Sequence, residues 1–281
     1  MNDTSSSPYE GFVVDILDRL ADMLFFSYVI RPVRDGKFGF MEKGGRWNGM
    51  VGEVVSKSAD IAAAPLFATE RRRMAVDFCV PFLEVKATVL ISQATHLKYP
   101  HINSWKDLAF QNEIKVGTLN TGIILWAFRN SNNTYLKKIW KTMISTEPSV
   151  FTATNEEGIS RTRTESYAFV IPNTIGDYIT RRPPCDLITL GDFLMDKSYA
   201  FAMAKASLLI PGINKALHRL RDVGFIDRLY YKWWIHKSHC NGVTSSRIYS
   251  ANNSDRTSTR LLLLCMALVT SLISSLISNP H

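Results

Sequence analysis

Three consecutive arginines, Arg71, Arg72 and Arg73, follow a threonine and a glutamate in the stretch IAAAPLFATERRRMAVDFCVPF, residues 61–82. Residues 61–65 are small and branched apolar side chains stopped by a proline, which suits a buried strand ending at a pocket. Thr69 is placed as an N-cap, and Glu70 suits the electropositive first turn of a short helix. Arg72 then stands in that first turn, beside backbone N–H groups without internal partners. A guanidinium and a helix N-terminus so arranged grip one carboxylate together. The same three arginines also fit a solvated basic turn with no chemistry, and these residues alone leave both readings open.

The flanking elements must hold that turn in place. Val13, Ile16, Leu17, Leu20 and Leu24 recur at helical spacing and predict an amphipathic helix over 11–24. Residues 26–33 read as a strand, 50–58 as a helix and 83–92 as a branched apolar strand. Further on the pattern gives a strand at 114–119, a turn at Asn120-Thr121-Gly122 and a helix beginning near Ile123. Helices follow at 135–144 and 155–163, a strand at 167–171, and a helix opened by Pro172-Asn173-Thr174. A strand at 198–205 and amphipathic helices at 210–223 and 225–234 complete the globular part, with Trp233 and Trp234 as structural anchors.

The order of motifs resembles the ligand-binding core of ionotropic glutamate receptors. The resemblance rests on Tyr9-Glu10-Gly11-Phe12-Val13-Val14-Asp15, Asp35-Gly36-Lys37-Phe38-Gly39 and Trp47-Asn48-Gly49-Met50-Val51-Gly52. It continues through Ala64-Pro65-Leu66, Val76-Asp77-Phe78, Pro81-Phe82, Glu147-Pro148-Ser149-Val150-Phe151, Pro184-Cys185-Asp186 and Lys232-Trp233-Trp234. It implies an α/β fold: a two-lobed periplasmic-binding-protein-like (type II) clamshell with a C-terminal hydrophobic tail. The expected division is lobe 1 over 1–91, lobe 2 over 92–199, a return to lobe 1 over 200–240, a flexible stalk over 241–260 and the tail over 261–281. It also implies a disulfide between Cys185 and Cys240. In the channels of this family the clamshell is interrupted by pore-forming membrane segments. Here Ser92 leads within a dozen residues to Ser104, with no apolar run of about 18 residues between them.

The resemblance carries over a ligand set: Arg72 for a carboxylate, the Pro65 carbonyl and Thr69 beside it, and Phe38 at the position of an aromatic roof. Phe38 also fits a core phenylalanine. On the facing wall stand Thr121, Ile123, Ile124 and Pro172. The departures are informative. Ile123 and Ile124 occupy the positions of a hydroxyl pair, so two apolar side chains are expected to face the pocket. Phe67 replaces a threonine that helps hold the ligand. Pro172 replaces the acidic residue that pairs with the α-ammonium, and a proline offers neither charge nor N–H. An amino acid bound in the usual pose would keep its ammonium unpaired, at a cost of several kcal/mol. A carboxylate without an α-amino group fits this set better than glutamate.

The 281 residues, 46% hydrophobic, allow two compact lobes and a tail. The net charge of +8 comes with scattered basic residues and no aromatic-interleaved basic stripe, which argues against nucleic acid. It fits a field that attracts small acids. Cys79 and Cys265 are expected to be unpaired, and no zinc-type spacing or cofactor motif occurs. Sequons at Asn2, Asn132 and Asn252 fit an extracellular protein. Residues 1–8 are polar and show no signal peptide; the resemblance implies a strand upstream of Tyr9-Glu10-Gly11, so either the N-terminus is incomplete or lobe 1 lacks an element that lines the pocket. Residues 261–277 form a 17-residue apolar run. It reads either as a marginal membrane helix or, with Ser250-Ala251-Asn252 and an eight-residue spacer before it, as a lipid-anchor signal attached at Ser250.

These features predict an extracellular, membrane-tethered module on the plasma membrane that binds a small carboxylate or amino acid and signals as a receptor without its own pore. Its expected partners are that ligand, the membrane through the tail, and channel subunits in a homo- or hetero-oligomer. A truncated or spliced subunit of a glutamate-gated channel, and a solute-binding protein, are the alternatives. No Ser/His/Asp, Cys/His or paired-carboxylate constellation can be assembled for an enzyme.

Overall fold

The computed structural model describes residues 9–240. The positions Asn2, Ser250, Asn252 and Cys265, the stalk 241–260 and the tail 261–281 lie outside the described residues.

The chain opens with α1 (Phe12–Leu24), whose residues Phe12, Ile16, Leu17 and Leu20 are buried on one face as their spacing requires. Next come α2 (Gly49–Val55), β1 (Ile61–Ala62), α3 (Glu70–Ala75), β2 (Val76–Phe78) and the long β3 (Leu83–Ser92). Two short helices, α4 (Gln93–Lys98) and α5 (Trp105–Ala109), then lead directly to β4 (Lys115–Thr118). No described helix is long and apolar enough to cross a membrane. After β4 come α6 (Ile123–Asn130), α7 (Thr134–Ser145), α8 (Asn155–Thr164), β5 (Tyr167–Pro172) and α9 (Asn173–Ile179). The described chain closes with β6 (Leu187–Tyr199), β7 (Ala202–Ala204), α10 (Leu209–Asp222), α11 (Phe225–Tyr230) and a π-helical turn, Tyr231–His236.

The strands form two sheets. One has the order β1-β7-β2 and is antiparallel; the other has the order β4-β5-β3-β6, with only the β4–β5 pair parallel. β5 is buried along its whole length between β4 and β3, which explains its uninterrupted YAFVIP run. β3 changes character along its length. Its first residues alternate between buried and exposed, whereas the last six are all buried. β3 and β6 pair from Leu83↔Tyr199 to Ser92↔Leu187, with register shifts at Val85/Ala87 and Thr88/Val89. The Thr88 hydroxyl donates to the Leu190 and Gly191 carbonyls beside the second shift. Among the described residues the buried apolar side chains form three clusters: Val89, Phe169 and Ile171 belong to the first, Leu17, Phe201 and Leu217 to the second, and Val51, Ala62 and Val76 to the third.

Residues 26–33 do not form the expected strand. Their side chains do alternate, with Phe26, Tyr28 and Ile30 half-buried and Val29 exposed, but no neighbouring strand supplies a ladder. Alternation records a buried face, while a strand also needs a partner for its backbone groups. The π-helical turn sets the two tryptophans on different partners: Trp233 Nε1 donates to Asp15 Oδ2 and Trp234 Nε1 to the Thr174 carbonyl, each at 2.7 Å.

Cys185 and Cys240 are joined by a disulfide, with Cα atoms 5.5 Å apart and 55 positions between them in sequence. Cys79 is the free cysteine among the described residues and is buried. Cross-linking a loop of this length constrains the unfolded chain by about 4 kcal/mol. Cys240→Ser is therefore expected to lower unfolding free energy by about 3–4 kcal/mol. Denaturant titration checks this, and reduction of the unsubstituted protein should give the same loss. Equal midpoints for oxidised, reduced and substituted protein would contradict it.

Candidate ligand-binding site

α3 begins as its sequence predicts. Thr69 has extended backbone, and its hydroxyl accepts the Arg72 N–H at 3.4 Å. Arg72 is 8% exposed, and its guanidinium is held by backbone carbonyls. Nε and Nη2 donate to the Gly39 carbonyl at 3.3 and 3.2 Å, and Nη1 donates to the Phe67 carbonyl at 3.0 Å. A guanidinium has five N–H donors. Three are thus committed, and one on each terminal nitrogen has no partner among the described residues. No carboxylate pairs with Arg72 there either. Burial pulls its pKa down to about 10, so the group stays cationic at neutral pH. A buried cation with no counter-ion among the described residues, and with one N–H left on each terminal nitrogen, has the donors that a carboxylate would need.

The carbonyl of Gly39 is placed by the loop before α2. Asp35 accepts the N–H groups of Lys37 and Gly49, and Asn48 clips Phe40 by accepting its N–H at 2.8 Å while donating its own N–H to the Phe40 carbonyl. Gly39 has φ +124°, and an added Cβ would lie 2.5 Å from Val51 Cβ. Only glycine satisfies both conditions. Phe40 also stands over the Arg72 guanidinium, 5.7 Å from ring centre to Cζ. The expected roof, Phe38, is 45% exposed, and the ring found over the arginine is the one two residues on. The positive φ of Gly39 breaks strand alternation between the two rings, and Phe40 rather than Phe38 lies over the arginine. Gly39, Phe40 and Asn48 are thus site-building residues that the pattern left unassigned.

Pro65 is exposed, and its carbonyl accepts no hydrogen bond among the described residues. The Phe67 ring packs on Tyr199, with centroids 4.7 Å apart. Burial raises the Tyr199 pKa, and its hydroxyl bonds the Thr174 side chain, which opposes that rise. Phe67 is thereby linked through Tyr199 to α9, the helix that follows Pro172. Pro172 is buried at the end of β5, opposite Ala87.

The second helix terminus differs from expectation. Gly122 caps α6 with φ +99° and no side-chain cap bond, which leaves the first N–H groups of the helix open, and Thr121 beside it is exposed. The two isoleucines do not both present side chains to a ligand. Ile124 is 7% exposed within the apolar core, and Ile123 packs against that core half-buried. A helix that shields a sheet must turn its apolar residues inward, so the backbone remains as the polar feature at this point.

A two-sheet α/β fold crossed by a long antiparallel strand pair is consistent with a two-lobed clamshell. Residues 1–95 match a family model described as "Ligated ion channel L-glutamate- and glycine-binding site". The chain is also similar to human glutamate receptor 3 (Homo sapiens), with 26% identity over 355 residues covering 83% of this chain and 40% of that relative. The chain therefore spans about 40% of the length of the curated relative it matches. The match runs over more positions than the 281 residues of this chain, so the relative carries inserted sequence within the matched span. Both findings are likenesses to glutamate-receptor sequences.

Proposed function

We propose that this chain is an extracellular ligand-binding module that closes on a small carboxylate and signals by that closure, with no pore in its described fold. The observation that carries the reading is the buried Arg72 guanidinium, held by two carbonyls and paired with no carboxylate among the described residues. Lobe 1 comprises residues up to 91 and 200–240, lobe 2 comprises 92–199, and β3 with β6 forms the crossing. Ligand bridging Arg72 and the open N–H groups of α6 draws the lobes together, and differential binding to the closed form drives the movement. The Pro65 carbonyl and the Thr69 hydroxyl orient the bound group.

A monocarboxylate with an apolar body is the preferred ligand, because Pro172 offers nothing to an α-ammonium. An unmodified amino acid is the second reading, favoured by the family match over residues 1–95. A thermal-shift screen separates the two, since a ligand that binds only the folded state raises its melting temperature. Monocarboxylates are expected to shift the transition more than their α-amino counterparts. Glutamate or glycine giving the larger shift would establish the second reading, and silence across all acids would refute the carboxylate site.

Attachment to the membrane through the C-terminal tail, assembly with channel subunits, and passage through the secretory route complete the proposal. Within the described residues Asn132 is the exposed sequon asparagine, while its neighbour Asn133 caps α7 through its side chain. Asn132 is expected to carry an N-linked glycan, visible as a mass loss at that peptide on enzymatic deglycosylation. An unmodified Asn132 in secreted protein would remove this element.

A further inference from the structure

The helix α7 has a face that the ligand site does not use. Its residues Leu136, Ile139, Trp140 and Met143 turn toward the core, and Ile139 and Met143 are fully buried there. At 100° per residue, Lys137, Lys138 and Lys141 fall within one 100° arc on the opposite side. All three are exposed. The helix contains no Asp or Glu, and none of the three lysines pairs with a carboxylate among the described residues. The surface continues onto α5, because the Lys138 ammonium sits 3.7 Å from the centre of the exposed Phe110 ring, and Phe110 shares a shallow depression with His101 and Lys106.

Residues 96–145 hold seven Lys and Arg side chains against two carboxylates, Asp107 and Glu113, so about a fifth of the chain carries +5 of the net +8. Both carboxylates are engaged locally: Asp107 accepts from the Ser104 hydroxyl and the Asn103 N–H, and Glu113 from the Asn112 N–H.

We propose that the α7 face, centred on Lys137, Lys138 and Lys141 and extended by Lys106, binds a sulfated polysaccharide. Ammonium groups on flexible stems act as point charges that meet sulfate without the planar geometry a guanidinium imposes. The Cys185–Cys240 disulfide fits an oxidising compartment, where nucleic acid and cytoplasmic lipid are scarce and sulfated polysaccharide is present.

The test is chromatography of the full chain on immobilised heparin after enzymatic removal of N-linked glycans. Three versions are compared: unsubstituted protein, Lys137→Glu/Lys138→Glu/Lys141→Glu, and a control with the same charge change elsewhere, Lys43→Glu/Lys57→Glu/Lys215→Glu. The unsubstituted protein and the control should be retained at physiological ionic strength, and the α7 variant should elute well below it. By the counterion-release argument, the slope of log Kd against log salt should fall in magnitude by roughly two to three for the α7 variant alone. Equal losses in both variants would reduce the effect to net charge and overturn the proposal. Failure of the unsubstituted protein to bind heparin would do the same, as would retention by phosphatidylserine vesicles instead. A ligand-induced thermal shift unchanged in the α7 variant would show that its fold is intact.

Discussion

Arg72→Ala is expected to abolish carboxylate-induced stabilisation. Removing a charge-assisted, two-pronged contact from a buried site weakens binding by about 3 kcal/mol, or roughly 150-fold, which puts a millimolar screen below saturation. Arg72→Lys separates charge from shape, since a lysine keeps the cation and loses the paired N–H groups, so it should recover only a small part of the binding. The protein without ligand carries the opposite balance. Burial lowers the pKa of Arg72 to about 10, so the folded state holds this proton less tightly than the unfolded chain does. Below that pH the charge therefore weakens the fold, and a bound carboxylate restores what burial removed. The sign predicts that affinity for the acid is constant near neutrality and declines as pH rises through about 10. Gly39→Ala acts on the same group from the other side. Its Cβ has no room beside Val51, so the carbonyl that fixes the guanidinium must move, and weaker binding with Arg72 intact should result. Undiminished binding by Arg72→Ala, measured by calorimetry, would move the pocket elsewhere.

Much of this site was legible because its determinants are local. A threonine before a glutamate and an arginine is a complete N-cap signal, and the structure places Arg72 beside the capped turn. β3 appears from Leu83 to Ser92 as its branched apolar run predicts, because a strand buried on both faces for most of its length declares itself by composition. What escaped was non-local. β6 spans thirteen residues, but Gly191, Asp192, Asp196 and Lys197 break its alternation, and its register shifts against β3 erase any period of two. Residues 26–33 failed in the opposite sense, with alternation present and no partner beside them. The capture of Arg72 by Gly39 and Phe67 joins a carbonyl 33 positions away to one five positions away, and backbone carbonyls leave no trace in side-chain pattern. Ile124 is the same lesson in reverse: a position carried over from the family kept its place on the helix, while its apolar side chain went to the core.

Pro172→Glu is expected to turn the preference toward α-amino acids. Pro172 ends β5, buried and paired in register with Ala87, and the next residue, Asn173, accepts the Lys86 N–H through its side chain. A carboxylate introduced there would stand at the buried end of β5. Without ligand, burial should raise its pKa and lower stability. With an α-amino acid held by Arg72, the ammonium supplies the missing partner, and a charge-assisted pair of about 2 kcal/mol gives roughly 30-fold tighter binding than to the deaminated analogue. In the unsubstituted protein the opposite order is expected, because the ammonium must be stripped of water with nothing to replace it. Pro172→Gln supplies the control, with similar volume and the same release from proline geometry but no charge. The glutamate variant alone should invert the ranking of paired acids in a melting assay. Its gain should fade as pH falls through the new carboxyl's pKa, since the protonated form no longer attracts a cation. Identical rankings for the glutamate and glutamine variants would mean that the ammonium of a bound amino acid lies away from position 172, and that the missing acid there does not decide which ligands this clamshell accepts.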